Sequence, residues 1–305
     1  MADVLYALFP VVCLILLGAW IRRRQWVPDG FWPSVEWLTY YLFFPALLVH
    51  SIATSDLSGL RVGEVLAALV MGILLVGSIS VLLRLRVTMT GPALTSLIQG
   101  SVRFNTYVIL AIAASLYDQV GITLTALLVA IAVPLVNLIS VGGLSWFAGS
   151  DDGFSVRRFA GQLVRNPLVV ACLIGAILNL TGLGLPTPID RAFAVAGRAA
   201  LPLGLLAVGA GLVLDRMVSG GPVLIAMCAL KLILLPLVVW GFCDLFGVEG
   251  ATRVIAVLIA GAPTATSAYV LARQMGGDAS LMAAGITATT LASALTLPIF
   301  LTLLR

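Results

Sequence analysis

LIQGSVRFNTYVILAIAASLYDQVG (residues 97–121) and VLIAGAPTATSAYVLARQMGGDA (residues 257–279) have the same layout. Each starts apolar, breaks at a small polar cluster, resumes, and ends at an acidic turn, Asp118 in one and Asp278 in the other. An unbroken apolar helix crosses lipid with every backbone group paired inside itself, so interruptions at mid-depth need a reason. In the later stretch, Gly261-Ala262-Pro263-Thr264-Ala265-Thr266-Ser267 combines a residue lacking an N–H with a glycine and three hydroxyls. Proline also turns the residue before it, Ala262, away from helical dihedrals. In the earlier stretch, Arg103-Phe104-Asn105-Thr106-Tyr107 sets a cation and an amide among apolar neighbours. Both stretches read as transmembrane helices unwound near their centres.

The rest of the chain supports a membrane setting. Hydrophobic residues make up 61% and charged residues 10% of the 305, and the mean hydropathy is +1.14. A water-soluble domain carries about 25% charged residues. At about 20 residues per crossing, the apolar runs predict ten transmembrane helices near 3–21, 34–54, 62–83, 93–117, 121–148, 166–184, 196–214, 221–243, 251–273 and 279–304. No independent soluble domain stands out. The opening run, Val4–Trp20, is too long for a signal-peptide core and is followed by Arg22, Arg23 and Arg24, so it reads as a retained first span. Cys13, Cys172, Cys228 and Cys243 all lie in apolar runs without metal-ligand spacing, which fits core packing and implies no disulfide framework. The net charge of +4 forms no basic stripe, so no nucleic-acid partner is implied.

A connection at 149–165 divides the chain into a first five-helix repeat, 1–148, and a second, 166–305. YLFFPALLVHSIA in the second span and AALPLGLLAVGAG in the seventh place Pro45 and Pro202 alike, as the two broken stretches pair the fourth span with the ninth. An odd number of spans per repeat puts the halves in opposite orientations, an arrangement suited to alternating access. Positive charge fixes the sidedness. With both termini outside, the inner face holds Arg22, Arg23, Arg24, Arg84, Arg86, Arg157, Arg158, Arg165, Arg216 and Arg273. The outer face then holds only Arg61, Arg191, Arg198, Arg253 and Arg305.

Two half-helix N-termini at mid-membrane depth, with partial positive charge and free N–H groups, suit a carboxylate. Candidate binding residues are Arg103, Asn105, Thr106 and Tyr107 at the first break and Pro263, Thr264, Thr266 and Ser267 at the second. Asn105 donates through its amide and the hydroxyls add directional donors. A mid-bilayer charge costs at least about 2.5 kcal/mol, so Arg103 and Lys231, the only lysine, each need a purpose. Two readings stand for each: a cavity-facing charge that attracts an anion or replaces a coupling cation, or a cation pairing freed carbonyls or a carboxylate such as Glu36 or Glu64. His50, the only histidine, reads as an interfacial residue or a proton-coupling group. Asp118 and Asp278 read as helix-capping turns.

At these residues the chain resembles the auxin efflux carrier family, which includes the plant PIN-FORMED auxin exporters and many bacterial carboxylate transporters. Arg165-Asn166-Pro167 followed by Leu173-Ile174-Gly175 resembles the family's sixth span, and Leu201-Pro202-Leu203-Gly204 through Gly209-Ala210-Gly211-Leu212 its seventh. Pro263 falls on the crossing proline of the ninth span, Pro298 on a proline near the chain end, and Asn105-Thr106 on the Asn-Thr of the fourth. Phe104 stands where the family often has proline, and nothing around Glu64 matches the supporting Asp and Lys of the plant exporters' third span. The resemblance implies an all-α membrane protein of two inverted five-helix repeats, related in fold to sodium/proton antiporters and bile-acid transporters. It further implies helices 4 and 9 crossed at the substrate site, a scaffold and a transport domain, carboxylate substrates and a homodimer.

The expected function is secondary transport of a small organic anion, auxin-like or dicarboxylate, across a bacterial inner membrane, with lipid as its surroundings and no cofactor or metal. A cation-coupled symporter of the bile-acid-transporter type and a non-transporting membrane sensor are the alternatives. An enzyme is not expected, because no HExxH motif or serine–histidine pairing lies within the spans.

Overall fold

The computed structural model describes residues 2–28, 30–55, 62–148, 161, 165–213 and 220–304. Arg61, Arg157, Arg158, Arg216, Arg305 and most of the 149–165 connection lie outside the described residues. Among those described there are helices and no strands. Six helical segments are long and apolar enough to cross a bilayer, the mark of a multi-pass membrane protein.

Local sequence sets the helix ends and irregularities. Helix α1, Ala2–Arg23, closes on Arg22 and Arg23, which complement its C-terminal dipole. Helix α2, Phe31–Thr54, widens into a π-turn at Thr39–Phe43 just ahead of Pro45. After α3, Val62–Leu82, and later in the chain, α8, Gly221–Leu245, repeats the device at Leu230–Leu234 ahead of Pro236. A proline lacks an N–H and collides with the carbonyl one turn back, and a wider turn relieves both.

Helix α4 covers Gly91–Val102 and α5 Thr106–Phe147. If straight, the 42 residues of α5 would reach about 63 Å, twice the bilayer core. The chain instead leaves helical dihedrals at Tyr117 (φ −140°, ψ 18°) and Asp118 (φ 46°, ψ −132°). A Cβ on Gly121 would lie 2.1 Å from the Ala113 carbonyl oxygen. In a continuous helix those positions stand about 12 Å apart, so the chain doubles back here and only glycine fits the close approach.

Helix α6, Pro167–Leu180, starts on Asn166, whose side chain accepts from the Leu168 and Val169 N–H groups. Helix α7, Thr187–Ala210, begins nine residues before the apolar run suggested. Pro188 and Asp190 favour a helix start there, and the added turns carry the exposed Arg191, so apolarity alone misses them. Helices α9, Gly250–Gly261, and α10, Ser267–Gln274, are the halves of the second broken stretch. Asp278 then caps α11, Ala279–Leu303, accepting from the Leu281 N–H at 2.9 Å.

The helices sort into two packed groups. In one, α1 lies against α7 and α2 against both α6 and α7. Gly18 and Gly209 make the first contact possible: a Cβ on either would sit 2.0 or 1.8 Å from a carbonyl oxygen of the facing helix. Such close backbone approach is how helices gain dispersion energy in lipid. In the other group, α3 packs on α8, and α9 on α3, α5 and α11. Two buried apolar cores lie among them, one around Phe44, Ile52 and Cys172 that takes in Leu110 of α5, the other around Leu69, Ile109 and Val239 that reaches Val11 of α1 and Val208 of α7. Ile225, Leu295 and Ile299 point outward and stay exposed, as a lipid-facing surface requires.

Candidate functional site: the meeting of two helix breaks

Both predicted interruptions are present, and they touch. Between α4 and α5, Arg103 (ψ 146°) and Asn105 (ψ 102°) are extended. Between α9 and α10, Ala262 (φ −64°, ψ 149°) departs likewise, ahead of Pro263 as expected for a residue before proline. The first break forms with Phe104 in place of a proline, because Asn105 supplies another cause. Its Oδ1 accepts from the Tyr107 and Val108 N–H groups at 3.1 and 3.3 Å and so starts a new helix.

Each break satisfies backbone groups that the other has freed. The Asn105 N–H donates to the Pro263 carbonyl at 2.8 Å. The Thr264 hydroxyl donates to the Gly100 carbonyl at 2.8 Å, and the Thr264 N–H donates to the Thr289 hydroxyl of α11 at 3.1 Å. Lys231, fully buried in the π-turn of α8, donates to the Ala260 carbonyl in the last turn of α9 at 2.7 Å. Its ammonium also stands 6.0 Å from the centroid of the Phe104 ring, within cation–π range. Unwound backbone within lipid survives only with such partners.

Two adjoining cavities lie on one side of this meeting. The deeper, about 200 Å³, is lined by Asn105, Thr106, Asn166 and Ala265 among others. The larger, about 1130 Å³, widens past Glu36, Trp37 and Gln274 to Arg22. Tyr40, Arg103, Tyr107, Asn137, Thr266 and Ser267 line both. The Arg103 guanidinium donates to Asn137 Oδ1 at 2.7 Å and to the Ser267 hydroxyl at 3.1 Å, which holds it at the shared wall. Those bonds use two of its five N–H donors, and Nε has no partner. The Asn105 amide nitrogen is also buried without one. Tyr107 is braced by Phe44, with ring centroids 4.8 Å apart. The deep end is therefore a concave, partly aromatic space lined, among the described residues, by Arg103 and spare N–H donors and by no carboxylate.

Among the predicted residues, Arg103, Asn105, Thr106, Tyr107, Thr266 and Ser267 are brought together around the cavities. Pro263 and Thr264 lie behind them and hold the crossing. Lys231 lines neither cavity. His50 is remote from both and pairs through Nδ1 with Asp190 Oδ1 at 2.6 Å, joining α2 to α7. Sequence reading did not place Asn137, Asn166, Tyr40 or Glu36 at the site: Asn166 entered only through the family resemblance, and Glu36 only as a carboxylate partner for Arg103 or Lys231, both of which bond elsewhere. Asn137 had a signal of the kind that marked Asn105, a lone amide inside an apolar span. The other three had none, because only packing carries α2 and the α6 N-terminus to this wall.

Residues 154–301 match the family described as membrane transport protein, the domain of the auxin efflux carriers. No curated protein matches the chain.

Proposed function

We propose, for a chain that carries the membrane transport protein domain of the auxin efflux carriers across residues 154–301, that it moves a small organic anion by alternating access at the two helix breaks. The observation that carries this reading is the unspent donor set at the crossing. Arg103 is held at the wall with N–H groups to spare, and the Asn105 amide is buried and unpartnered beside it. A buried donor without an acceptor costs about 1–3 kcal/mol, and a carboxylate recovers that cost at both residues. The α10 N-terminus at Thr266 and Ser267 lacks a side-chain cap and adds partial positive charge at the same place.

Ten crossings arranged as inverted repeats account for the packing. The doubled-back α5 supplies two of them and the α9–α10 pair one, while α1, α2, α3, α6, α7, α8 and α11 supply seven; α4 completes the crossing begun by the first limb of α5. Under such a repeat, the α1–α7 contact corresponds to the α2–α6 contact, and both are extensive. The group of α1, α2, α6 and α7 is the scaffold, and the remaining helices carry the breaks. A shift of one group against the other exposes the site alternately. The wide cavity opens toward Arg22 and Gln274, on the arginine-rich face that the positive-inside rule assigns to the cytoplasm, so this conformation faces inward.

Binding of a carboxylate panel to purified protein, followed by thermal shift and then by uptake into proteoliposomes, tests the reading. At least one carboxylate is expected to stabilise the protein and to lose that effect in Arg103→Ala. Stabilisation of Arg103→Ala equal to wild type by every carboxylate that binds would remove the proposed site.

A further inference from the structure

Glu36 is the one carboxylate lining either cavity among the described residues. Its placement is unusual for a space otherwise suited to anions. Glu36 precedes Tyr40 by four residues on α2, so the two share a helix face about one turn apart. Tyr40 lines both cavities, and Glu36 only the outer one. Its electrostatic neighbours are Arg22 at the end of α1 and the Tyr107 phenol on α5. Among the described residues no cation comes within ion-pair distance of the carboxylate, and no side chain or backbone group hydrogen-bonds to it. Arg22 is exposed at the cavity mouth, where water screens it. The negative charge of Glu36 is therefore largely uncompensated and stands in the outer cavity, one helical turn from Tyr40.

We propose that Glu36 is a specificity-determining residue, a charge filter that admits monocarboxylates and disfavours dicarboxylates. The inference rests on the reading of the Arg103–Asn105 wall as the anion site. A substrate whose first carboxylate lies against Arg103 projects its other end past Tyr40 and Tyr107 toward Glu36. A neutral end, or one with an N–H or O–H donor, is accepted there, because the Glu36 oxygens have acceptor capacity to spare. A second carboxylate meets a like charge at the half-buried Glu36, where repulsion at an effective dielectric of about 20 is worth about tenfold in affinity.

The test uses probe pairs of equal size that differ by one charge: succinate against succinamate, and phthalate against phthalamate. Apparent affinities are measured by thermal-shift titration of the full-length purified protein. Wild type is expected to favour the monoanion of a pair by about tenfold or more, and Glu36→Gln to reduce that preference to within about twofold while still binding the monoanion. Glu36→Asp, which keeps the charge, is expected to retain the preference. If Glu36→Gln does not stay monodisperse, Glu36→Ala serves in its place. Equal binding of both members of each pair by wild type overturns the filter whatever the variants do. An unchanged preference in Glu36→Gln overturns it too, including the case in which that variant loses only the pH dependence of flux, which would make Glu36 a proton carrier. Failure of all four probes to bind wild type overturns the filter alone, whereas binding of them by Arg103→Ala equal to wild type overturns the anion-site reading and the filter with it.

Discussion

The first break is built from an amide and a guanidinium, the second from a proline and hydroxyls, and the two do different work. At the first, Asn105 uses its oxygen to cap α5 and leaves its nitrogen unpartnered, while Arg103 keeps most of its N–H groups unused. At the second, the Pro263 carbonyl, the Thr264 hydroxyl and the Thr264 N–H are all consumed in holding the crossing. Buried cations divide the same way. Arg103 stands at a cavity wall, and Lys231 is sealed against the Ala260 carbonyl. The difference teaches that a matched pair of broken helices need not share function equally. Unpartnered donors concentrate at the first break, and the polar groups of Pro263 and Thr264 at the second are taken up in holding the first unwound.

Substitutions at the two breaks can separate these roles. Arg103→Ala has the largest expected effect: loss of charge-assisted hydrogen bonds to a carboxylate worth about 2–3 kcal/mol, or about 30- to 150-fold in affinity, with a much smaller change in melting temperature. Titration of a bound carboxylate against this variant checks it, and an intact affinity would erase the contrast. Lys231→Met should cost about 2 kcal/mol of stability, because the Ala260 carbonyl loses its charged donor inside the protein. Its affinity for the anion should stay within about threefold of wild type, as read by thermal unfolding in detergent with and without ligand. A ligand-free melting curve equal to wild type would show that the ammonium is not a structural tie.

Asn105→Ala removes both a cap and a donor, so about tenfold in affinity should be lost together with about 1 kcal/mol of stability. Asn105→Asp sharpens the point, since it keeps the capping oxygen and discards the amide donor. That variant should recover the melting temperature and not the binding. Thr264→Val has the smallest expected effect, about 1 kcal/mol of stability from one hydroxyl, with affinity unmoved. A Thr264→Val protein that melts normally but binds poorly would reverse the roles assigned to the two breaks.

Much of this was legible in the residues themselves. Long apolar runs announce membrane helices, and a proline or an asparagine beside small polar residues announces where such a run must open. Asp278 read correctly as a cap because the signal is local, an acceptor three residues before the N–H it receives. Helix α7 was read too short because its first turns are amphipathic, and an apolarity criterion passes over them. Asn137 was legible in principle by the argument that singled out Asn105. Glu36 and Tyr40 were not, since their meaning depends on which face of α2 turns inward.

The sequence by itself determined a membrane setting, the places of both helix breaks and six of the fourteen residues that line the deep cavity, because hydropathy and backbone chemistry act over a few neighbouring positions. Tertiary structure alone decided that the two breaks meet through Asn105 and Pro263, that Arg103 stands at the cavity and Lys231 behind it, and that Glu36 lines the outer cavity. Those outcomes depend on contacts between different helices, from 29 positions apart for Lys231 and Ala260 to 164 for Arg103 and Ser267, which local sequence chemistry does not reach.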